Sequence, residues 1–290
     1  MTNVIPEHAI EEEVTITKDN GEPLVVTRFS NPDGSQPRAA VIISPAIAVQ
    51  ARFYRRFAGW LTTHGLVAYL YDHQGYGGSS RGPLKDVTAD FLTWAQDPGA
   101  VVDYVAEHET VPVRWLGHSL GGQMLAFARH EHLEAATIVS AGTGYWKYWQ
   151  HYGAGVLLPP VMWYLLAPVA VRTVGYFPGK KLGILGDIPP QVMRQWGRWC
   201  TMPRYMLTEY PELAKKFAGY TGPLTFITFA DDRTMPLPAS LSLMSWYSRA
   251  DLEHHHYHPQ DLGQERIDHM GIFKTHNAPL WQQIFADIIS

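Results

Sequence analysis

The chain has 290 residues, with 23 lysines and arginines against 27 aspartates and glutamates, a formal net charge of -4, and 46% hydrophobic but only 17% charged residues. That length suits one large domain with an insertion, or two domains, and buries a substantial core in either case. With neither a basic stripe nor an acidic tail, the composition argues against a nucleic-acid partner and leaves a neutral small molecule as a fitting ligand. A single cysteine, Cys200, excludes an intramolecular disulfide and suits a reducing compartment. The opening "MTNVIPEHAIEEEV" shows no basic n-region and no apolar h-region, so it does not read as a secretory signal, and the cytoplasm is the expected location.

Short apolar runs alternate along the chain with longer amphipathic ones, the pattern of a mostly parallel sheet covered by helices. Strands are expected at "EVTI", "LVVTRF", "AAVIIS", "LVAYLY", "VRWLG", "ATIVS", "PLTFITF" and "LEHHHYH". The first two, joined through the turn chemistry of "KDNGEP", form an expected antiparallel hairpin at the sheet edge. Helices are expected at "ARFYRRFAGWLTTHG", "PGAVVDYVAEH", "GGQMLAFARHE", "PASLSLMSWYS" and "APLWQQIFADII", the second marked by Pro98, which suits a first helical turn.

The rhythm breaks over 143–221, where no strand pattern appears and five of the ten tryptophans gather: Trp146, Trp149, Trp163, Trp196 and Trp199. This stretch reads as a helical, aromatic-rich cap inserted into a core made of 1–142 and 222–290. Within it, Gly153 to Val171 is free of charge over nearly the ~20 residues that a spanning helix needs. Pro159, Pro160 and Pro168 are expected to break it into pieces too short to span, so no transmembrane segment is expected.

The densest chemical signal is "RWLGHSLGGQML". A strand runs into Gly117-His118-Ser119-Leu120-Gly121 and a helix-like segment follows at once, which is G-x-S-x-G in the context that gives it meaning. A sharp strand-to-helix turn holds Ser119 in a strained conformation beyond the sheet edge, and small residues two positions away on either side avoid a clash. A serine hydroxyl is a weak nucleophile at neutral pH, so the reading needs a histidine base and a carboxylate to orient it, in the order Ser, then Asp or Glu, then His. "TFITFADDRTMP" offers Asp231 or Asp232 at the end of a strand, and "RIDHMGIF" offers His269 before the final helix.

This constellation resembles the α/β-hydrolase family over nearly the whole chain. The resemblance implies a mostly parallel eight-stranded sheet flanked by helices. In that family the acid commonly stands four residues before a proline, a spacing that Asp232 and Pro236 keep. Asp232 is therefore the implied acid, with Asp231 as a capping or loop-bonding residue. Asp72-x-x-Gly75-x-Gly77-x-Ser79 is similar to the family's loop after the fourth strand. The oxyanion hole needs two preorganised N–H donors. Leu120 supplies one, and alignment of "SPAIAVQARFYRRFAGWL" with the family's His-Gly loop implies Ile47 as the other, with Ala46 the near alternative. More narrowly, "RFYRRFAGWL", "GTGYWKYW", "GYFPGKKLG", "RWCTMPRYM" and "RIDHMGIF" resemble bacterial hydrolases near the serine aminopeptidase and monoacylglycerol lipase branches.

The expected function is cleavage of a carboxylic ester carrying an apolar or aryl group. Ser119, His269 and Asp232 would act as the triad, and Trp146, Trp149, Trp163, Trp196 and Trp199 as candidate walls of the pocket. No metal and no organic cofactor is implied. An aminopeptidase-like amidase would need acidic groups for a substrate ammonium, and the cap offers Asp187, Glu209 and Glu212; an acyltransferase would replace water with another acceptor. A dehalogenase of this family would carry aspartate where Ser119 stands. A non-catalytic binding protein on the same fold is the competitor from another class. The run His254, His255, His256 and His258 falls on the last expected strand, where alternation sends His254, His256 and His258 to one face and His255 and Tyr257 to the other. With no acidic or cysteine partner at ligand spacing, it reads as strand surface.

Overall fold

A computed structural model of the chain describes residues 9–149, 158–183 and 186–290. Its eight strands form one sheet: β1 (Ile10–Thr17), β2 (Pro23–Ser30), β3 (Ala39–Ser44), β4 (Leu66–Tyr71), β5 (Val113–His118), β6 (Leu133–Val139), β7 (Pro223–Phe229) and β8 (Asp251–Tyr257). They lie in the order β1-β2-β4-β3-β5-β6-β7-β8. The β1–β2 hairpin and its junction with β4 are antiparallel and the remaining pairs parallel. This is the α/β-hydrolase architecture with a helical insertion between β6 and β7. β3 and β4 are buried at every position, which is why they read as unbroken apolar runs and not as alternation.

Helices cover both faces. On one, α1 (Arg55–Thr62) packs Phe57 and Trp60 against Trp281 and Phe285 of the C-terminal helices. On the other, Val101, Val102 and Val105 of α2 (Asp97–His108) share a core with Trp94, Trp115 and Met124. α2 begins with Pro98 in its first turn, as expected. The segment after Ser119 is shorter than "GGQMLAFARHE" suggests: α3 (Leu120–Met124) passes into a 3-10 turn, Leu125–Phe127, and stops. The Leu125 carbonyl, which a longer α-helix would use, accepts instead from the Ala128 N–H and from His130 Nε2.

The insertion holds several short helices and, among its described residues, only an isolated bridge, Phe177 with Ile188. Part of the uncharged stretch over 153–171 lies outside the described residues. The described part corrects one expectation: Leu158–Val161, a π-turn at Met162–Leu166 and Ala167–Val174 follow one another without a break. Pro159 and Pro160 stand in the first turn, where a missing N–H costs nothing, and the wider π-turn accommodates the start of the segment carrying Pro168. Val161, Tyr164, Leu165 and Val169 on this segment are exposed. No helix among the described residues is long and apolar enough to cross a membrane.

Candidate active site

The carboxyl ends of β3, β5 and β7 and the loop after β8 meet at one point. β5 ends in a turn that holds Ser119 at φ 53° and ψ -108°, a region that residues other than glycine rarely adopt. The turn closes only because its neighbours are small. A Cβ on Gly117 would sit 2.4 Å from the Gly121 carbonyl oxygen, and one on Gly121 would sit 2.1 Å from that of Ser44. The G-x-S-x-G spacing is thus a packing requirement, with Gly121 pressed against the end of β3.

β7 delivers the two aspartates to different tasks. Asp232 is buried, and its Oδ2 lies 2.8 Å from His269 Nδ1. Its Oδ1 accepts from the Thr234 and Met235 N–H groups at 2.9 and 2.8 Å, so the carboxylate cannot swing away. Asp231 Oδ2 accepts from the N–H groups of Ile267 and Asp268 at 2.8 and 2.9 Å. It anchors the histidine loop while Asp232 faces the imidazole. The loop needs that anchor, because Asp268, next to His269, takes φ 55°. His269 Nε2 in turn lies 3.0 Å from Ser119 Oγ. Asp232, His269 and Ser119 therefore form an unbroken line of hydrogen bonds, with all three residues buried.

The two proposed oxyanion donors share a cavity with Ser119. Leu120 opens α3, and Ile47 sits in the loop after β3, both against the same cavity. The hydrogen bonds of that loop join Ala46 N–H to the Tyr54 hydroxyl, Val49 N–H to the Ala46 carbonyl and Ala51 N–H to Asp72 Oδ1. None of them uses the Ile47 N–H. The loop turns at Ala48, held at φ 63° beneath Gly186, whose hydrogen faces the Ala48 carbonyl so closely that a Cβ would come within 2.0 Å. The Asp72 motif supports this loop from below: Asp72 accepts from Ala51 N–H and Gly78 N–H, and Gly77 leaves the space its carboxylate fills.

A cavity of about 1020 Å³ opens above Ser119 between the sheet and the insertion. Of the five tryptophans expected there, Trp149, Trp163 and Trp196 line it, joined by Met162, Leu166 and Cys200. Trp199 does not. It is fully buried against Phe91, Tyr205 and Tyr210 with its Nε1 donating to Glu209, because it faces the core one turn along from Trp196. Trp146 likewise lies outside the lining, beside Tyr145 and below the Lys147 ammonium. Cys200 is a buried wall residue whose thiol is pushed well above its usual range by burial. Gln123, Arg233, Glu265 and Arg266 also line the cavity, and nothing in their sequence context marks them.

Of the acidic groups considered for an ammonium, Glu209 is taken by Arg198 and Trp199, and Asp187 accepts from Lys180 N–H. On β8, His254 Nε2 and His256 Nδ1 each lie 2.8 Å from the Thr228 hydroxyl, while the ring of His255 stacks beside Tyr257. The two-face alternation is as the spacing requires. Burial first, then neighbouring histidines, lowers the pKa of His254 and His256. Among the described residues no three histidine, cysteine or acidic side chains come together as a metal would need.

A family model described as serine aminopeptidase, S33 matches residues 35–174, a span that includes the Ile47 loop and Ser119 and ends before β7. No curated protein matches the chain in sequence. Solved structures match it along almost its full length. A monoglyceride lipase from Saccharomyces cerevisiae superposes with a TM-score of 0.65 at 13% identity, covering 98% of this chain and 95% of that one. Brefeldin A esterase, a bacterial homologue of human hormone-sensitive lipase, gives 0.63 at 15% identity, covering 98% and 75%. Est1E from Butyrivibrio proteoclasticus, with ferulic acid bound, gives 0.59 at 17% identity, covering 95% and 98%. At such identities the likeness is one of fold.

Proposed function

We propose that this chain, which belongs to the α/β-hydrolase superfamily, is a serine hydrolase that cleaves carboxylic esters bearing an apolar acyl or aryl group. The observation that carries the reading is the line Asp232–His269–Ser119 at the floor of an aromatic-walled cavity. Ser119 Oγ attacks the ester carbonyl as His269 Nε2 takes its proton, and the resulting imidazolium stays paired with the Asp232 carboxylate. The oxyanion then lies between the N–H groups of Leu120 and Ile47. His269 returns the proton to the departing alcohol, and water, activated by the same nitrogen, releases the acid from Ser119.

In this reading 1–142 and 222–290 are the catalytic core and 143–221 is a cap that selects the acyl or aryl group. An amidase acting on a free amino terminus is less well served. Asp231 spends one oxygen on two backbone N–H groups, Asp268 faces Arg266 at 3.1 Å, and two arginines share the cavity with Glu265. The test is covalent labelling of the purified protein with a fluorophosphonate, the adduct being located by mass spectrometry, followed by a panel of esters and aminoacyl amides. Labelling at Ser119 that is lost in His269→Ala, with turnover of esters, supports the assignment. A folded protein that neither labels nor turns over any ester would overturn it.

A further inference from the structure

Three polar groups buried behind Ser119 can complete their hydrogen bonds in only one arrangement. The Ala46 N–H lies 3.0 Å from the Tyr54 hydroxyl oxygen, and since an amide only donates, that oxygen accepts. The same hydroxyl lies 2.7 Å from His118 Nδ1. His118 Nε2 lies 2.8 Å from the backbone carbonyl of His269, a group that only accepts. Nε2 must therefore carry a proton.

Two protonation states of His118 satisfy that last contact. In the imidazolium, Nδ1–H would point at the Tyr54 oxygen and leave the tyrosine proton without an acceptor. Burial, reinforced by the proximity of His269, works against this charged form. The neutral form with its proton on Nε2 satisfies every group: Ala46 N–H donates to Tyr54, the Tyr54 hydroxyl donates to Nδ1, and Nε2–H donates to the His269 carbonyl. The three bonds run in one direction from the oxyanion loop to the histidine loop, passing directly beneath Ser119.

We propose that Tyr54 and His118 are positioning residues that tie the Ile47 loop to the His269 loop, and that Ile47 supplies the second oxyanion donor because the Ala46 N–H is already committed to Tyr54. The proposal rests on the hydrolase reading above. It gives a chemical reason for His118 within the turn, since the side chain before Ser119 points away from the cavity and into this tie. It also separates the tie from ordinary packing, because the rings of Tyr54 and His118 touch Phe273, which hydrogen bonds do not concern.

The test has two parts, both on the full chain. Nitrogen NMR of histidine-labelled protein near neutral pH reads the tautomer directly, with His118 identified by the signal lost in His118→Gln. The expected result is a neutral ring with the proton on Nε2; a proton on Nδ1 would overturn the tie. Kinetics then ask whether the tie positions. Tyr54→Phe keeps the ring and its packing, and is expected to lower kcat by roughly tenfold to a hundredfold with KM held within about twofold. Phe57→Leu thins the same aromatic cluster without touching the tie, and is expected to lower Tm while leaving kcat within about twofold. A Tyr54→Phe enzyme with unchanged kcat would refute the positioning role. A wild-type protein that fails to label and to turn over any ester would refute the hydrolase reading and leave the tautomer result standing.

Discussion

The regions below and above Ser119 are held by different kinds of force. Below it, directional hydrogen bonds set nearly every position: Asp232 takes two backbone N–H groups, Asp231 two more, and Ala46 N–H meets Tyr54. Above it, the walls are apolar side chains such as Met162, Leu166 and the edge-to-face pair Trp163 and Trp196, with Trp149 Nε1 to the Arg233 carbonyl as a polar link between insertion and core. Directional bonds set the distance and orientation of donor and acceptor, which proton transfer requires. Apolar contact fixes volume and little else, which suffices to choose among acyl groups. Substitutions below should therefore act on kcat, and those above on the identity of the substrate.

The largest break is expected from removing the groups proposed to react. Ser119→Ala and His269→Ala are each expected to lower kcat by about 10⁴-fold or more, with the folded protein intact by circular dichroism. Asp232→Asn is expected to fall in the same range, because an amide in that position favours the wrong imidazole tautomer. Retention of most activity in any of the three would dissolve the distinction between the two regions.

A large effect above Ser119 should be one of stability and not of chemistry. Trp199 is fully buried among Phe91, Tyr205 and Tyr210, so Trp199→Ala is expected to cost about 3–5 kcal/mol in urea unfolding. Its effect on ester preference should be slight at temperatures where the variant stays folded.

That contrast between Trp196 and Trp199 also marks how far the sequence is legible. The strands were readable because β3 and β4 are apolar without interruption and β5 runs straight into a motif whose glycines answer backbone contacts. Ser119 stands out for the same reason, its motif making a demand on the local backbone, whereas His269 is picked out by chain order, after the acidic pair and before the final helix. In the sequence, the choice of Asp232 over Asp231 leans on a family spacing to Pro236; in the structure the proposed choice is supported by the different partners of the two carboxylates, His269 for one and the Ile267 N–H for the other. The tryptophans of the insertion carry no local demand. Trp196 and Trp199 stand on one helix, Pro190–Cys200, and which of them meets the cavity is decided by packing partners such as Phe91, remote in sequence. Tyr54 was invisible for a related reason, since its partners come from β5 and the loop after β3.

Smaller effects sharpen the roles below Ser119. Asp231→Ala removes the acceptor for the Ile267 and Asp268 N–H groups and is expected to cost about 1–3 kcal/mol of stability, read by urea unfolding, with kcat falling less than in Asp232→Asn. Asp231→Asn retains a carbonyl acceptor and should recover much of the loss. His118 supplies a pH dependence of known sign. Burial holds its folded-state pKa well below 6.5, so as pH falls through 6.5 the unfolded chain takes up a proton that the folded chain refuses. Its contribution is therefore complete above that pH and is lost below it, at up to about 1.4 kcal/mol per pH unit. Urea titrations across this range should show a shallower slope in His118→Gln, which has no such proton to bind.

The smallest expected change is the one that tests the upper region on its own terms. Trp196 lines the cavity edge-on to Trp163, and neither indole is among the polar groups that hold Ser119, His269 or Asp232. Trp196→Leu should therefore open volume without moving the reacting atoms. Each additional methylene that the widened wall can bury is worth about 0.8 kcal/mol, or roughly a fourfold gain in kcat/KM for the longer acyl chain. Short acyl esters, which do not reach the wall, should keep their kcat. A uniform loss across all chain lengths would mean that the wall also orients the ester carbonyl, and the division between a directional floor and an apolar roof would have to be redrawn at Trp196.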